Sequence, residues 1–257
     1  MAARFLSLFV ALWFLTSGSL AIAQTDSKRA SDPKALAIAD QVMAAMGGQD
    51  AWNNTRYIRF SFFGFRTHHW DKWTGQYRVE WKREEKAYLI LMNLNTGVGR
   101  AWVNGVEATA EELPALLKQG RGAWINDTYW LLMPYKLKDP GVTLTYDGEE
   151  TVAGVTCDKL HLSFDHVGNT PGDEYWAYIN RQTHLMDKWV SLLQPGEGKT
   201  ERNRGEYQWN KWTRYGKIMI SPERQGADGK TRMMENIAVF DTLPDAVFTS
   251  PDAVPQM

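Results

Sequence analysis

The chain has 257 residues, 29 Lys and Arg against 30 Asp and Glu, a formal net charge of −1 and a mean hydropathy of −0.43. A chain so nearly neutral has no basic surface that could hold nucleic acid, and its length suits one domain. After residue 23 it has no apolar run of the roughly 20 residues that a stable membrane span needs. Twelve tryptophans are its unusual feature.

The first 23 residues have the pattern of a secretory signal peptide. Arg4 precedes an apolar run over 5–15, and an A-x-A site ends at Ala23. Such signals have a positively charged N-terminal region, a short apolar run and small residues at the cleavage site. We predict cleavage after Ala23, a flexible tail at 24–31 and a single domain at 32–257. The alternative is an uncleaved anchor.

The first element of the mature chain is predicted to be an amphipathic helix over 33–46. Asp32 is a favourable N-cap, and Pro33 suits the first helical position. Gly47 and Gly48 end the pattern. The apolar residues at helical spacing are Leu36, Ala39, Val42, Met43 and Met46.

Strands separated by short turns follow. Tyr77, Val79 and Trp81 alternate with charged residues, which is typical of a half-buried antiparallel strand. No strand–helix–strand rhythm occurs, which argues against a parallel sheet. The predicted strands are 57–65, 76–82, 86–94, 99–105, 142–147, 159–164, 174–180, 184–193, 206–215, 217–223 and 233–240.

These elements predict an α+β fold with a large curved antiparallel sheet of about ten strands. One face of such a sheet must be covered. The chain has two segments that could cover it, the helix at 33–46 and an apolar segment at 110–135 whose first part is helical despite Pro114.

The sequence AWINDTYWLLMPY at 123–135 has two compatible interpretations. Aromatic-rich segments are usually core, so the first interpretation is a plug on the concave face of the sheet. A helix loosely packed there would also be a movable wall for an acyl chain. Asp127 is either the cap of a helical turn at YWLLM, together with Asn126, or a buried acid that needs partners.

A second polar cluster lies in THHWDKW at 67–73. His69 and Asp71 could share one face of a strand, which raises the hypotheses of a metal site or a hydrolase. Two ligands are weak evidence, so no metal and no catalytic residue is assigned. The structural alternative is a strand at a sheet edge, where His69 and Asp71 form a hydrogen bond and Trp70 and Trp73 cover the sheet.

Two further features are interpreted as structural. Cys157 lies in a strand-like run without an activating partner, so we expect a small buried residue rather than a nucleophile. GEGKT at 196–200 departs from the phosphate-loop pattern because position 193 is Leu, so we predict a hairpin loop. No cofactor is predicted.

The helix ending in AMGG, the long meander with an apolar insert and the hairpin EYWAYINRQTHLMDKW together resemble the LolA/LolB-like periplasmic lipoprotein-carrier superfamily, in a poorly characterised exported branch. The resemblance covers most of 33–245. It implies an unclosed half-barrel folded over helices, a periplasmic location and a hydrophobic cavity for acyl chains.

The function implied by this resemblance is a non-enzymatic carrier or sensor of lipid or lipoprotein acyl chains. Its partners would be a lipid or acyl chain and, as a further partner, another envelope protein. The alternatives are an envelope interaction domain with a filled core and a hydrolase that uses His69 and Asp71. The predicted ligand-binding residues are Trp124, Asp127, Tyr129, Trp130, Leu131, Met133 and Tyr135, and the candidate polar site comprises His69, Trp70 and Asp71.

Overall fold

The computed structural model describes residues 30–165, 167–170, 172–196 and 198–254. The predicted signal peptide at 1–23 lies outside the described residues, as does 24–29 of the predicted tail. Of that tail Ala30 and Ser31 are described, and the Ser31 hydroxyl accepts a hydrogen bond from the amide of Leu144 at 3.1 Å.

The described chain contains four α-helices and sixteen strands. The helices are α1 (Pro33–Ala45), α2 (Gly48–Asn53), α3 (Leu113–Leu132) and α4 (Ala246–Thr249), and a 3-10 turn at Met133–Lys136 follows α3. The strands are β1 (Tyr57–Phe62), β2 (Arg66–Asp71), β3 (Gln76–Arg83), β4 (Lys86–Asn93), β5 (Gly99–Val103), β6 (Val106–Glu107), β7 (Val142–Val152), β8 (Val155–Phe164), β9 (Glu174–Asn180), β10 (Met186–Leu193), β11 (Asn203–Asn210), β12 (Thr213–Tyr215), β13 (Ile218–Ile220), β14 (Glu223–Gly226), β15 (Thr231–Met233) and β16 (Glu235–Phe240).

These strands form two seven-stranded antiparallel sheets and one small ribbon. The first sheet has the order β16-β1-β2-β3-β4-β5-β6, the second β15-β14-β11-β10-β9-β8-β7, and β12 pairs with β13. Met234 alone separates β15 from β16, so the chain passes directly from the second sheet into the first. The predicted α+β class with a large open antiparallel sheet is confirmed, and its strands are divided between two sheets that are not closed into a barrel.

The main core lies between α1, the end of α3 and the inner faces of both sheets. Asp32 caps α1 as predicted, since its carboxylate accepts a hydrogen bond from the Lys34 amide at 2.9 Å. Ile58 and Phe60 of β1 are fully buried in this core. The opposite face of β1 meets α4, where Tyr57 stacks on Phe248 with ring centroids 6.0 Å apart.

Helix α3 is longer than the sequence pattern predicted. Thr109 and Glu112 form a reciprocal capping box, because the Thr109 amide donates to the Glu112 carboxylate at 2.9 Å and the Glu112 amide to the Thr109 hydroxyl at 3.4 Å. Pro114 is tolerated because it lies in the first turn. The predicted cap at Asn126 and Asp127 is wrong, since both residues lie inside the continuous helix.

Two other expectations have clear outcomes. Strand β2 is hydrogen-bonded to β1 on one side and β3 on the other, so the prediction of an edge strand at His69 is wrong. Cys157 is fully buried, as predicted.

Among the described residues, no helix combines the length and the apolar character that crossing a bilayer requires.

Candidate functional site

A cavity of about 540 Å³ lies between α3 and the second sheet. This volume is within the range of small-molecule binding sites. Its α3 side includes Trp124, Thr128, Tyr129 and Trp130, and its sheet side includes Val142, Phe164, Tyr175, Trp189 and Leu193. The wall is therefore mainly aromatic and aliphatic.

The side chains of α3 are divided between two surfaces by the helical repeat. Gly120, Trp124 and Asp127 follow one another at helical spacing and face the first sheet, and Trp124 also reaches the edge of the cavity. A side chain at Gly120 would come within 3.0 Å of Ile90, so glycine permits a close approach of α3 to β4. Tyr129 and its neighbours on the adjoining stripe line the cavity.

The aromatic rings of the cavity wall pack against one another. Tyr129 has its ring centroid 5.2 Å from that of Tyr175 and 6.0 Å from that of Trp189. Trp130 lies 4.9 Å from Trp189 and 5.4 Å from Phe63, ring centre to ring centre. Such contacts each stabilise the wall by roughly 1 kcal/mol beyond the area they bury.

The charged groups on the cavity wall have ion-pair or hydrogen-bond partners in the protein. Lys136 and Asp139 form an ion pair, and the exposed Arg121 donates to the carbonyl of Leu94. The buried Asp173 carboxylate accepts hydrogen bonds from the Thr170 hydroxyl and, at 2.7 Å, from the backbone amide of Gln194.

Three side chains of the wall carry buried polar hydrogens without an acceptor among the described residues. They are the indole N–H groups of Trp124 and Trp189 and the hydroxyl of Tyr129. Burial raises the pKa of the Tyr129 hydroxyl well above its usual value, so this group stays protonated.

Asp127 does not line the cavity but joins α3 to the first sheet. Its carboxylate accepts hydrogen bonds from Arg66, Nε–Oδ2 at 2.6 Å and Nη2–Oδ1 at 3.0 Å, and His68 Nε2 lies 2.8 Å from Oδ2. His68 Nδ1 in turn lies 2.7 Å from the Tyr77 hydroxyl. Burial lowers the pKa of His68, with the Asp127 contact opposing this effect, so the imidazole is the neutral partner in this network.

The remaining residues predicted for ligand binding lie in the core. Leu131 and Met133 are fully buried in the main hydrophobic cluster. The Tyr135 hydroxyl lies 3.0 Å from the carbonyl of Met46 and accepts a hydrogen bond from the Met219 amide at 3.1 Å. These three side chains hold the end of α3 and the turn after it in place.

The polar cluster on β2 does not converge on one site. Asp71 is occupied by Arg56, with Nη2–Oδ2 at 2.9 Å, and by the Thr74 hydroxyl. The hydrogen bond predicted between His69 and Asp71 is absent, since neither ring nitrogen of His69 has a partner among the described residues. Trp70 points to the other face, where its ring centre lies 5.4 Å from that of Trp124.

The hypotheses of a metal site and of a hydrolase both have little support at His69. Burial, followed by the charges of Arg78 and Arg59, lowers the pKa of His69 to about 4. In the part of the chain that the structure describes, no three His, Cys, Asp or Glu side chains come together as a metal site would require. His161 lies elsewhere and pairs with Glu174 at 2.8 Å, and His166 lies outside the described residues.

Sequence reasoning missed the half of the cavity wall that comes from the second sheet. Phe164, Tyr175 and Trp189 all lie on predicted strands, and Trp189 shares a strand face with Ser191 and Leu193. Strand alternation could have grouped them. It could not have shown which face meets α3, because that depends on how the helix packs.

Comparisons of the sequence with known proteins give no relatives. No protein-family model matches the chain. No curated protein matches it.

Comparison of the structure gives distant likenesses. A DUF1329 family protein from Desulfovibrio piger has a TM-score of 0.46 and 12% identity over 85% of this chain and 98% of its own. An outer membrane lipoprotein-sorting protein domain from Vibrio parahaemolyticus has a TM-score of 0.42 and 8% identity, covering 84% and 96%. A LolA superfamily protein from Nitrosomonas europaea has a TM-score of 0.42 and 11% identity, covering 84% and 97%.

All three identities are below 25% and all three TM-scores are below 0.5. The ligands and partners of those proteins therefore do not transfer to this chain.

Proposed function

We propose that this protein is an exported carrier or sensor that holds one hydrophobic chain, such as a lipid acyl chain, in the cavity between α3 and the second sheet. The observation that carries the proposal is the cavity itself, about 540 Å³ in volume and walled by Trp130, Tyr175 and Trp189. Burial of a chain contributes about 0.8 kcal/mol for each CH₂ group removed from water. No special polar group is needed for useful binding.

Two observations favour this function over the alternatives. An interaction domain with a filled core would have no space beside Tyr129 and Trp189. A hydrolase needs acid and base groups that meet in a cleft, whereas the Asp71 carboxylate is held by Arg56 and Thr74.

The periplasmic location belongs to the proposal as well. It is supported by the signal-peptide pattern that ends at Ala23. We expect the protein in the periplasmic fraction of its own cells with Gln24 as its first residue. N-terminal sequencing of that fraction tests this, and a protein that retains residues 1–23 contradicts cleavage.

Lipid binding is tested by filling the cavity. Leu193 lines the cavity, whereas Leu192, the next residue of β10, faces the opposite side of the sheet. We expect Leu193→Trp to lower the amount of co-purified lipid, and the affinity for an added fatty-acyl probe, at least tenfold. Leu192→Trp is the matched control and should bind as the unchanged protein does.

The measurement is mass spectrometry of the intact protein and of its solvent extract. One lipid per chain that is lost in Leu193→Trp supports the proposal. An unchanged protein that carries no lipid and rejects fatty-acyl probes overturns it and favours an interaction domain.

A further inference from the structure

We propose that the ligand of this cavity carries a cationic head group, an ammonium or quaternary ammonium, which lies against the rings of Tyr129, Phe164 and Tyr175 in the cavity wall. This inference rests on the proposed function, because it concerns the polar end of the ligand of the same site. A cationic amphiphile should therefore bind better than an anionic one of the same chain length.

The first observation is a group of three aromatic rings in the wall. Tyr129, Phe164 and Tyr175 line the cavity and are only partly buried. Each ring contacts the other two, with centroids 5.2 Å apart for Tyr129 and Tyr175, 6.2 Å for Tyr129 and Phe164, and 5.6 Å for Phe164 and Tyr175. Aromatic faces attract cations, and groups of aromatic rings are a common site for quaternary ammonium ligands.

The second observation is a buried negative charge next to these rings. Asp173 lines the cavity and is only 4% exposed. Its carboxylate accepts hydrogen bonds from the Thr170 hydroxyl and the backbone amide of Gln194, and the Tyr175 hydroxyl donates to it at 3.3 Å. All of these donors are neutral, so the carboxylate has no positive partner among the described residues. Charges are poorly screened inside a protein, so such a carboxylate favours a cation nearby.

The hydrogen bond from Tyr175 to Asp173 joins the two observations. It places the negative charge at the edge of one of the three rings, where it makes that ring more attractive to a cation. The same charge acts at Tyr129. Burial raises the pKa of both tyrosine hydroxyls, and the charge of Asp173 acts in the same direction on each. A negative potential that disfavours a phenolate favours a cation in the same place.

The other charged groups of the wall do not form a site for an anion. Lys136 is paired with Asp139, and Arg121 is exposed and donates to the carbonyl of Leu94, outside the cavity. Asp173 is therefore the one charged group that is buried in this wall in the described part of the chain. A carboxylate or phosphate placed among the rings would lose its hydration without gaining a positive partner, whereas an ammonium would gain a negative one.

The test compares three amphiphiles of similar chain length on the delipidated protein. They are decyltrimethylammonium, its neutral isostere in which carbon replaces the nitrogen, and decanoate. Displacement of a fluorescent acyl probe at pH 7.5 should show the cation binding about tenfold more tightly than decanoate and at least as tightly as the isostere. A cavity without cation recognition would prefer the isostere, because an ammonium group loses more hydration on entry.

Two variants of the wall separate the charge from the ring. Asp173→Asn removes the charge and keeps an acceptor for its neighbours, so it should weaken binding of the cation about fivefold and leave the isostere unchanged. Phe164→Leu removes one ring without touching the hydrogen bonds of Asp173, and the same pattern is expected. Asp187→Asn is the matched control, since it removes a partly buried carboxylate beside Cys157 on the other face of the second sheet and should have no effect.

The outcomes separate the two proposals. An isostere that binds more tightly than the cation, or decanoate that binds as tightly, overturns this inference and leaves lipid binding intact. An equal loss of cation and isostere binding in Phe164→Leu also overturns it, because the ring would then only shape the cavity. Failure of all three probes to bind overturns the proposed function, and this inference falls with it.

A second measurement uses the unchanged protein. The N-methyl protons of bound decyltrimethylammonium are observed by proton NMR. We expect their resonance to move upfield of its position in water, as it does for protons above aromatic faces, with nuclear Overhauser contacts to the rings of Tyr129, Phe164 and Tyr175. An N-methyl resonance that stays at its position in water while the chain resonances shift would place the head group outside the cavity and contradict the inference.

Discussion

Arg66 on β2 holds Asp127 on α3 through two parallel hydrogen bonds, with the nitrogen and oxygen atoms 2.6 and 3.0 Å apart. Asp127 has no exposed side-chain surface, and the Arg66 side chain is 16% exposed. This pair fixes one face of α3 to the first sheet, while an adjoining face of the helix lines the cavity. The position of the cavity wall therefore depends on a contact outside the cavity.

Asp127→Asn should destabilise the protein strongly. It leaves the largely buried Arg66 guanidinium without a counter-charge, which costs about 3 kcal/mol in comparable buried pairs. Urea unfolding measures the change. Arg100 and Glu107 form a pair of the same geometry on the surface, with distances of 2.7 and 2.8 Å, so Glu107→Gln is the matched control and should leave the urea midpoint almost unchanged. Equal costs for the two variants would refute a structural role of the buried pair.

Arg224→Lys should also be costly although it keeps the charge. The guanidinium of Arg224 donates to the Trp130 carbonyl at 2.6 Å and to that of Ser221 at 2.9 Å, and lies 3.2 Å from the centre of the Trp209 ring. A lysine ammonium cannot stack and reach both carbonyls, so we expect a loss of about 2 kcal/mol in the free energy of unfolding.

The control for Arg224 is Arg204, an exposed arginine paired with Glu206 at 2.7 Å. Arg204→Lys should leave the urea midpoint within error, because exposed ion pairs contribute little. If Arg224→Lys unfolds at the same urea concentration as the unchanged protein, the contact between Arg224 and the end of α3 is not stabilising.

His69 should make the protein less stable in acid. Its pKa is about 4 in the folded protein and about 6.5 in the unfolded chain, so between these values the unfolded chain binds more protons. The stabilisation is present above pH 6.5 and is lost as pH falls toward 4, with a size of about 3 kcal/mol. His69→Gln cannot titrate, so its free energy of unfolding should fall less between pH 6.5 and 4.

Urea unfolding at several pH values measures this difference. His68 also has a lowered pKa because of burial, so the variant should retain part of the acid sensitivity. Identical pH dependence in the variant and the unchanged protein would mean that His69 is solvated in the fold.

Cys157 should be inert in the native state. Burial raises the pKa of its thiol to about 11, and the nearby Asp187 and Asp158 charges act in the same direction. Iodoacetamide at pH 8 should leave the folded protein unmodified and label it once in urea, as measured by intact mass. Native labelling at the rate of a free thiol would contradict the burial.

Several elements were predictable because their cause is local. The start of α1 depends on Asp32 and Pro33, which act on the adjacent amides, and the alternation of Tyr77, Val79 and Trp81 follows from the pleat of a single strand. The cap expected at Asn126 and Asp127 was wrong because its cause is not local. A capping residue within an apolar run predicts a helix start only if no tertiary partner compensates it, and Arg66, 61 residues earlier, is that partner of Asp127.

The sequence by itself determined the class of fold, the positions along the chain of most of its strands, and the presence of an aromatic segment at 123–135. These properties depend on hydrophobic period and turn chemistry, which act over a few residues. The tertiary structure alone decided that Tyr129 packs against Tyr175 and Trp189 in the cavity wall while Leu131 and Met133 are core. That division depends on the rotation of α3 about its axis, which is set by distant contacts such as Arg66 with Asp127.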